Sequence, residues 1–145
     1  MEVIDSLQTT RFVIIRLDPG ELLLENIRKT IADLGLTNGV VVSAIGTLKK
    51  CRMHVTTYAG FPPIDKFLER EGALELVHIQ GIIADGEPHL HMTISDENCA
   101  YAGHLEDGCE VLYLAEIVIA KTDGMGLKRE VNPSNGIKQL KPVKV

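Results

Sequence analysis

The sequence predicts a single α+β domain in which one amphipathic helix accompanies a long series of strands. Three observations predict it. Apolar residues recur at helical spacing in only one stretch, near the N-terminus. Most of the remaining chain falls into runs rich in Val, Ile and Leu, bounded by Gly, Pro, Asn or Asp. The 145 residues, 45% hydrophobic and 24% charged, suit one core of ordinary size and no second domain. The domain is expected to fill residues 1–145, with its core over about 10–121 and a C-terminal tail over 122–145.

Arg11 to Leu17 reads as the first strand, centred on Phe12-Val13-Ile14-Ile15. Asp18-Pro19-Gly20-Glu21 should open the helix, with Asp18 as cap, Pro19 at the first helical position and Glu21 at capping-box spacing. Leu23, Leu24, Ile27, Ile31 and Leu34 then line one face, and Gly35 fits the stop. Val40 to Ile45 reads as a central strand that Gly46 and Thr47 break, and Leu48 to Thr57 as the next. Tyr58 to Lys66, with Gly60, Pro62 and Pro63, reads as a loop. Ala73 to Ala84 is β-rich and Asp85-Gly86 is a turn signal. His89 to Ser95, Ala100 to Leu105 and Val111 to Ala120 supply further strands. From Asp123 the chain has no clear period and reads as a tail tied down at Ile137 to Val145.

Composition excludes several classes. No apolar run approaches the ~20 residues needed to span a bilayer, so no membrane partner is expected. Met1 to Thr10 lack a basic region followed by an apolar stretch, so no signal peptide is expected. Cysteines scattered at 51, 99 and 109 fit a reducing compartment rather than a disulfide framework, and a cytoplasmic location follows. The net charge is −5, and the basic residues are dispersed: Arg28-Lys29, Lys49-Lys50, Lys128-Arg129, Lys138, Lys141 and Lys144. No Arg-Gly-Arg-Pro hook and no aromatic ladder is present, so intrinsic DNA binding is not expected.

The chemistry concentrates in Gly86-Glu87-Pro88-His89-Leu90-His91-Met92 and Gly103-His104-Leu105. His89 and His91 are two apart, so on a strand their side chains share a face. Ser95-Asp96-Glu97-Asn98 is turn-like, and a strand folding back there brings His104 alongside them. Three imidazoles with no obligatory fourth protein ligand describe a reactive zinc site with one open position, although copper and nickel also accept imidazole. Cys99 and Cys109 lie nearby as competing ligands, but no CxxC or CxxH pair is present. Glu116 interrupts an apolar strand, where a carboxylate either faces solvent or is buried with a partner. By alternation it shares a face with Leu112, Leu114 and Val118. Glu75 raises the same question. If water fills the open position, a metal lowers its pKa, and Glu116 or Glu75 could orient or deprotonate it.

Five segments in order carry a family resemblance: Arg16-Leu17-Asp18-Pro19-Gly20-Glu21, Val42-Ser43-Ala44-Ile45-Gly46, Ala73 through His91, Ala102-Gly103-His104-Leu105 and Ala115-Glu116-Ile117-Val118-Ile119. They resemble the plants-and-prokaryotes conserved (PPC) domain over roughly residues 10–121. The resemblance implies a mainly antiparallel β-sheet with one principal helix packed against it, assembling as a homotrimer. In plants the domain follows AT-hook segments of nuclear proteins, and stand-alone prokaryotic members are often described as DNA-binding by analogy. This chain lacks the hook. It has Thr93 where prokaryotic members often place a third alternating histidine, and Ala102 where they often place the first glycine of Gly-Gly-His. His89, His91 and His104 match, as does Glu116 in the last core strand, which implies a carboxylate within reach of the metal.

These readings together expect a small cytoplasmic, trimeric metal-binding protein with zinc held by His89, His91 and His104. Catalysis, with Glu116 as its carboxylate, is a further step for which no substrate pocket is legible. The rival expectation is a DNA-associated or regulatory protein-interaction module whose histidines only pack or hydrogen-bond.

Overall fold

In this computed structural model, which describes residues 1–5 and 7–143, a six-stranded antiparallel sheet wraps one side of a single helix. Lys144 and Val145, to which the basic tail and its tie-down were expected to extend, lie outside the described residues. The elements are β1 (Gln8–Leu17), α1 (Leu23–Asp33), β2 (Asn38–Thr56), β3 (Asp65–Ala84), β4 (Glu87–Ser95), β5 (Ala100–Leu105), β6 (Glu110–Asp123), β7 (Gly126–Val131) and β8 (Lys138–Val143). The main sheet runs β1-β6-β2-β3-β4-β5.

Each buried stripe follows from alternation. Ile79 and Ile83 on β3, Leu90, Met92 and Ile94 on β4, and Ala115, Ile117 and Ile119 on β6 all face inward. They meet Leu23, Leu24, Ile27 and Ile31 of α1, which are almost fully buried. Four buried helix side chains at roughly 1.5–3 kcal/mol each make this the principal apolar contact of the helix.

The helix starts later than expected. Asp18 and Glu21 do form half of the capping arrangement, the Asp18 N–H donating to Glu21 Oε2 at 2.7 Å. Gly20, however, sits at φ +85°, and Gly20 and Leu23 donate to the carbonyls of Val111 and Cys109, while Val111 N–H donates to Glu21. These bonds hold residues 20–23 extended, and Leu22 becomes the N-cap without a side-chain bond. At the other end Gly35, at φ +58°, donates to Ala32 and Leu36 donates to Ile31, the Schellman pattern. Leu36 is buried in place of Leu34, which is exposed.

The two expected strands over 40–57 are one strand. β2 runs through Gly46 with register shifts on either side, because Gly46 lies close against Leu114 and Ala115 of β6 and bends rather than ends the strand. β3 starts at Asp65, at the end of the loop expected over Tyr58 to Lys66 and well before the expected strand start at Ala73, and pairs residues 65–71 against 50–56. Residues 124–143 are not a tail. β7 and β8 pair as a hairpin that the buried Asn38 ties down, its Nδ2 donating to Met125 O and its Oδ1 accepting from Leu127 N–H, both at 3.0 Å.

β5 pairs with β4 on one side and with β2 on the other, at Met53↔Leu105 and His54↔His104. The sheet therefore curls back on itself at this end. Among the described residues no helix is long and apolar enough to cross a membrane.

Candidate metal centre

The sequence elements of the centre fold as their spacing demands. Leu90 is buried, so His89 and His91 project from the opposite face of β4. Asp96 Oδ1 accepts from the N–H groups of Asn98 and Cys99 at 2.7 and 2.9 Å, which turns the chain into β5. His104 then lies directly across from His91. The three predicted histidines come together: ring centroids are 5.4 Å apart for His89–His91, 4.9 Å for His89–His104 and 5.4 Å for His91–His104.

Sequence reasoning missed two members. His54 on β2 is the cross-strand partner of His104, and their rings stack at 4.5 Å. Glu106 follows the site histidine by two, so it returns to the same face. Its Oε1 lies 2.6 Å from His54 Nδ1 and 3.3 Å from His104 Nδ1. The step of two in His104-Leu105-Glu106 could have revealed Glu106. His54 could not be found without knowing that β5 closes against β2.

Among the described residues one set of ligand atoms is close enough to hold a single ion, and the rings of His89 and His91 adjoin it beside His104. His54, His104 and Glu106 offer ligand atoms that all lie within 4.8 Å of one another. His89 Nε2 and His91 Nε2 are 3.3 Å apart. Two nitrogens at ~2.0–2.1 Å from one tetrahedral zinc stand about 3.3 Å apart, so the His89–His91 spacing suits two ligands of one ion. The 2.6 Å His54–Glu106 contact is a hydrogen-bond distance, and suits a carboxylate orienting a ring. His104 Nδ1 is buried and makes no hydrogen bond, although Glu106 is within ion-pair range. A buried nitrogen without a partner is costly, and metal ligation through the ring's other nitrogen would draw this N–H toward Glu106.

The cluster disfavours protons. Partial desolvation, then the positive charge of His104, Arg129, His91 and His54, holds the His89 pKa down to about 4 from its usual 6.5. Desolvation and His54 also lower that of His104, against the pull of Glu106. Both rings are thus neutral at pH 7 with lone pairs free to ligate. The unfolded chain takes up a proton on His89 near pH 6.5, whereas the folded chain resists until about pH 4. The metal-free protein is therefore expected to lose stability as pH falls from about 6.5 to about 4, with no further loss from this group below that. Urea midpoints at a series of pH values check this, and His89→Gln should flatten the decline. Because His89 is an exposed side chain, solvent screening keeps the effect small.

The other candidates lie elsewhere. Glu116 is exposed, paired across the ladder with Arg16 and Ile45, and separated from β4 by β2 and β3. A strand face turned away from the core accommodates such a carboxylate without a metal. Glu75 is exposed opposite Thr47 and Ser95. The Cys109 thiol is buried against Arg52, whose N–H lies 3.1 Å from the sulfur, and Cys99 is exposed in the β4–β5 turn. Among the described residues, none of these four joins the histidine cluster.

A family model described as the Plants and Prokaryotes Conserved (PCC) domain matches residues 4–123. A plant- and prokaryote-conserved protein of Pyrococcus horikoshii has a similar structure, with TM-score 0.79 and 25% identity over 99% of this chain and 100% of that one. A metal-containing protein of Archaeoglobus fulgidus shares the fold at TM-score 0.82 and 21% identity, over 96% and 98% of the two chains. Among sequences, a bifunctional protein GlmU of Synechococcus is 29% identical over 127 residues, which is 87% of this chain. The chain spans 19–20% of the length of the two such relatives it matches.

Proposed function

The chain belongs to the Plants and Prokaryotes Conserved (PCC) domain family, and from that premise we propose that it is a metal-binding member whose ion, zinc, is held by His89, His91 and His104. The observation that carries this reading is the convergence of the three rings on the outer face of the sheet around His104, whose buried Nδ1 has Glu106 Oε1 at 3.3 Å but makes no hydrogen bond. Glu106 and His54 back the ligands: the carboxylate orients His104, and the stacked His54 ring fixes the carboxylate. Three imidazoles leave one position open, where a bound zinc supplies Lewis acidity to an incoming oxygen ligand. Metal analysis of protein purified without added metal tests the reading. One zinc per chain, with anomalous scattering centred on the three rings, is expected; protein that stays metal-free after zinc dialysis overturns it.

We also propose that the chain forms a homotrimer. Phe12 and Ile14 on β1, Val42 and Ile45 on β2, Val77 on β3 and Leu114 on β6 are exposed apolar side chains on strands whose other face is the core. Oligomers bury such surfaces. Light scattering at micromolar concentration should give three times the 15.9 kDa chain mass, and Ile45→Asp should lower it. A monomer in the wild-type chain refutes the proposal.

The same apolar face also favours a second reading, a protein-interaction module. It does not favour DNA. The chain is acidic, and Arg28, Lys29, Lys49, Lys50 and Arg52 are paired with Asp107, Asp33, Glu110, Glu69 and again Glu69. Such pairs leave few cations for phosphate neutralisation. Titration with duplex DNA at ~150 mM salt should show no submicromolar binding.

A further inference from the structure

The histidine cluster adjoins a cavity of about 610 Å³, whose wall includes His89, His91 and His78 together with Arg129 and Lys138. Among the described residues no carboxylate lines it. A second cavity of about 640 Å³ shares His89, Arg129 and Lys138, and carries Asp85 and Glu87 in its wall. Arg129 is therefore common to both spaces beside the ligands.

Its guanidinium is only partly satisfied. Nη2 donates to the Ile82 carbonyl at 3.2 Å, which holds the side chain against β3. Nη1 is buried and has no hydrogen-bond partner. A buried donor without a partner is costly, so such a donor marks the place of an acceptor that arrives with a ligand. Lys138, on β8, makes no ion pair among the described residues and adds a second cation. Lys128, by contrast, is neutralised by Glu130 at 2.6 Å.

We propose that this cavity is an oxyanion site, and that the ligand of the histidine centre carries a carboxylate or phosphate group which Arg129 and Lys138 bind. The proposal deepens the metal reading and rests on it for the second anchor: a zinc held by the histidines would supply Lewis acidity to the same anion that Arg129 binds. A guanidinium fork matches the geometry of both groups. Arg129 and Lys138 lie on β7 and β8, beyond residues 4–123 of the family match. The matched segment would then supply the metal ligands, and the β7–β8 hairpin would select what the centre accepts.

The test titrates inorganic phosphate and malonate into the full chain, metal-free and after stoichiometric zinc loading. The readouts are the Arg129 Nε–H and imidazole ¹⁵N resonances. Saturable shifts at Arg129 are expected in both forms, tighter with zinc. Preference for phosphate or malonate distinguishes the two sources of the shared chemistry. Losing a charge-assisted hydrogen bond should weaken binding about tenfold or more in Arg129→Gln, with Arg129→Lys intermediate and zinc uptake unchanged. Lys138→Gln, at an exposed position that holds no other part of the fold, should weaken binding by less and guards against a loosened hairpin in the arginine variants. Arg129 shifts without zinc uptake would sink the metal reading and keep the cationic pocket. Zinc uptake with no Arg129 shift, or anion binding that is equal in wild type, Arg129→Gln and Lys138→Gln, would overturn the present proposal.

Discussion

Replacing His104 by alanine is expected to abolish stoichiometric zinc uptake. His104 is the hinge of the cluster: it faces His91 across one strand pairing and His54 across the other, and it stands 3.3 Å from Glu106. Residues that merely orient a ligand typically account for 10–100-fold in metal affinity. Removing a ligand outright should therefore cost at least ~100-fold, and Glu106→Gln should fall within the 10–100-fold range. His78→Ala supplies the control, because His78 lies on β3 outside the ring cluster and should leave zinc affinity as it is. Competition against a chromophoric chelator measures all three. The fold should survive His104→Ala, since the ring lies on the outer face and the neighbouring core residue, Leu105, is kept. Equal zinc affinity in His104→Ala and wild type would remove His104 from the centre.

The second large effect is expected at Gly81. This residue sits at φ +151° in the middle of β3, opposite Leu90 on β4 and Val41 on β2. A β-carbon there would lie 2.0 Å from the His89 carbonyl oxygen and 2.9 Å from a Leu90 methyl. Both the backbone conformation and the strand spacing must then yield. Conformational strain alone costs on the order of 1–3 kcal/mol, and moving packed backbone adds to it. A loss of about 3 kcal/mol or more should lower the thermal midpoint of Gly81→Ala by roughly 10 °C. The same displacement moves the strand segment that carries His89 and His91, so zinc affinity should fall as well. Gly72→Ala separates strain from crowding. Gly72 has φ +138° with nothing within 4 Å of the place an added methyl would take, and should show only the smaller conformational cost. Similar midpoints for the two variants would refute the close-approach argument.

Much of the centre was legible because period two is a strong constraint. His89 and His91 had to share a face once β4 was recognised, and the Asp96 turn had to return His104 beside them. The helix was legible in its buried stripe but not in its first turn, because the bonds from residues 20–23 to β6 are long-range and leave no local trace. The Gly60–Pro63 break was legible and does separate β2 from β3, whereas Gly46 read as a break because a glycine that bends a strand and one that ends it look alike in sequence. His54 was invisible for a deeper reason: it enters through the β2–β5 closure, a property of the curled sheet rather than of any segment. Glu116 shows the converse. Its apolar surroundings left a buried partner and an outward-facing position as alternatives, and within one chain the side chain faces outward, across the ladder from Arg16.

The pairing of β1 with β6 has a consequence for biogenesis. Roughly ninety residues of chain separate the end of Gln8–Leu17 from the start of Glu110–Asp123, which at ~5–20 residues per second of synthesis is roughly 5–20 s. For that interval the nascent segment Phe12-Val13-Ile14-Ile15 is made but has no native partner strand, and it is the kind of sequence that chaperones holding unfinished chains at the ribosome recognise.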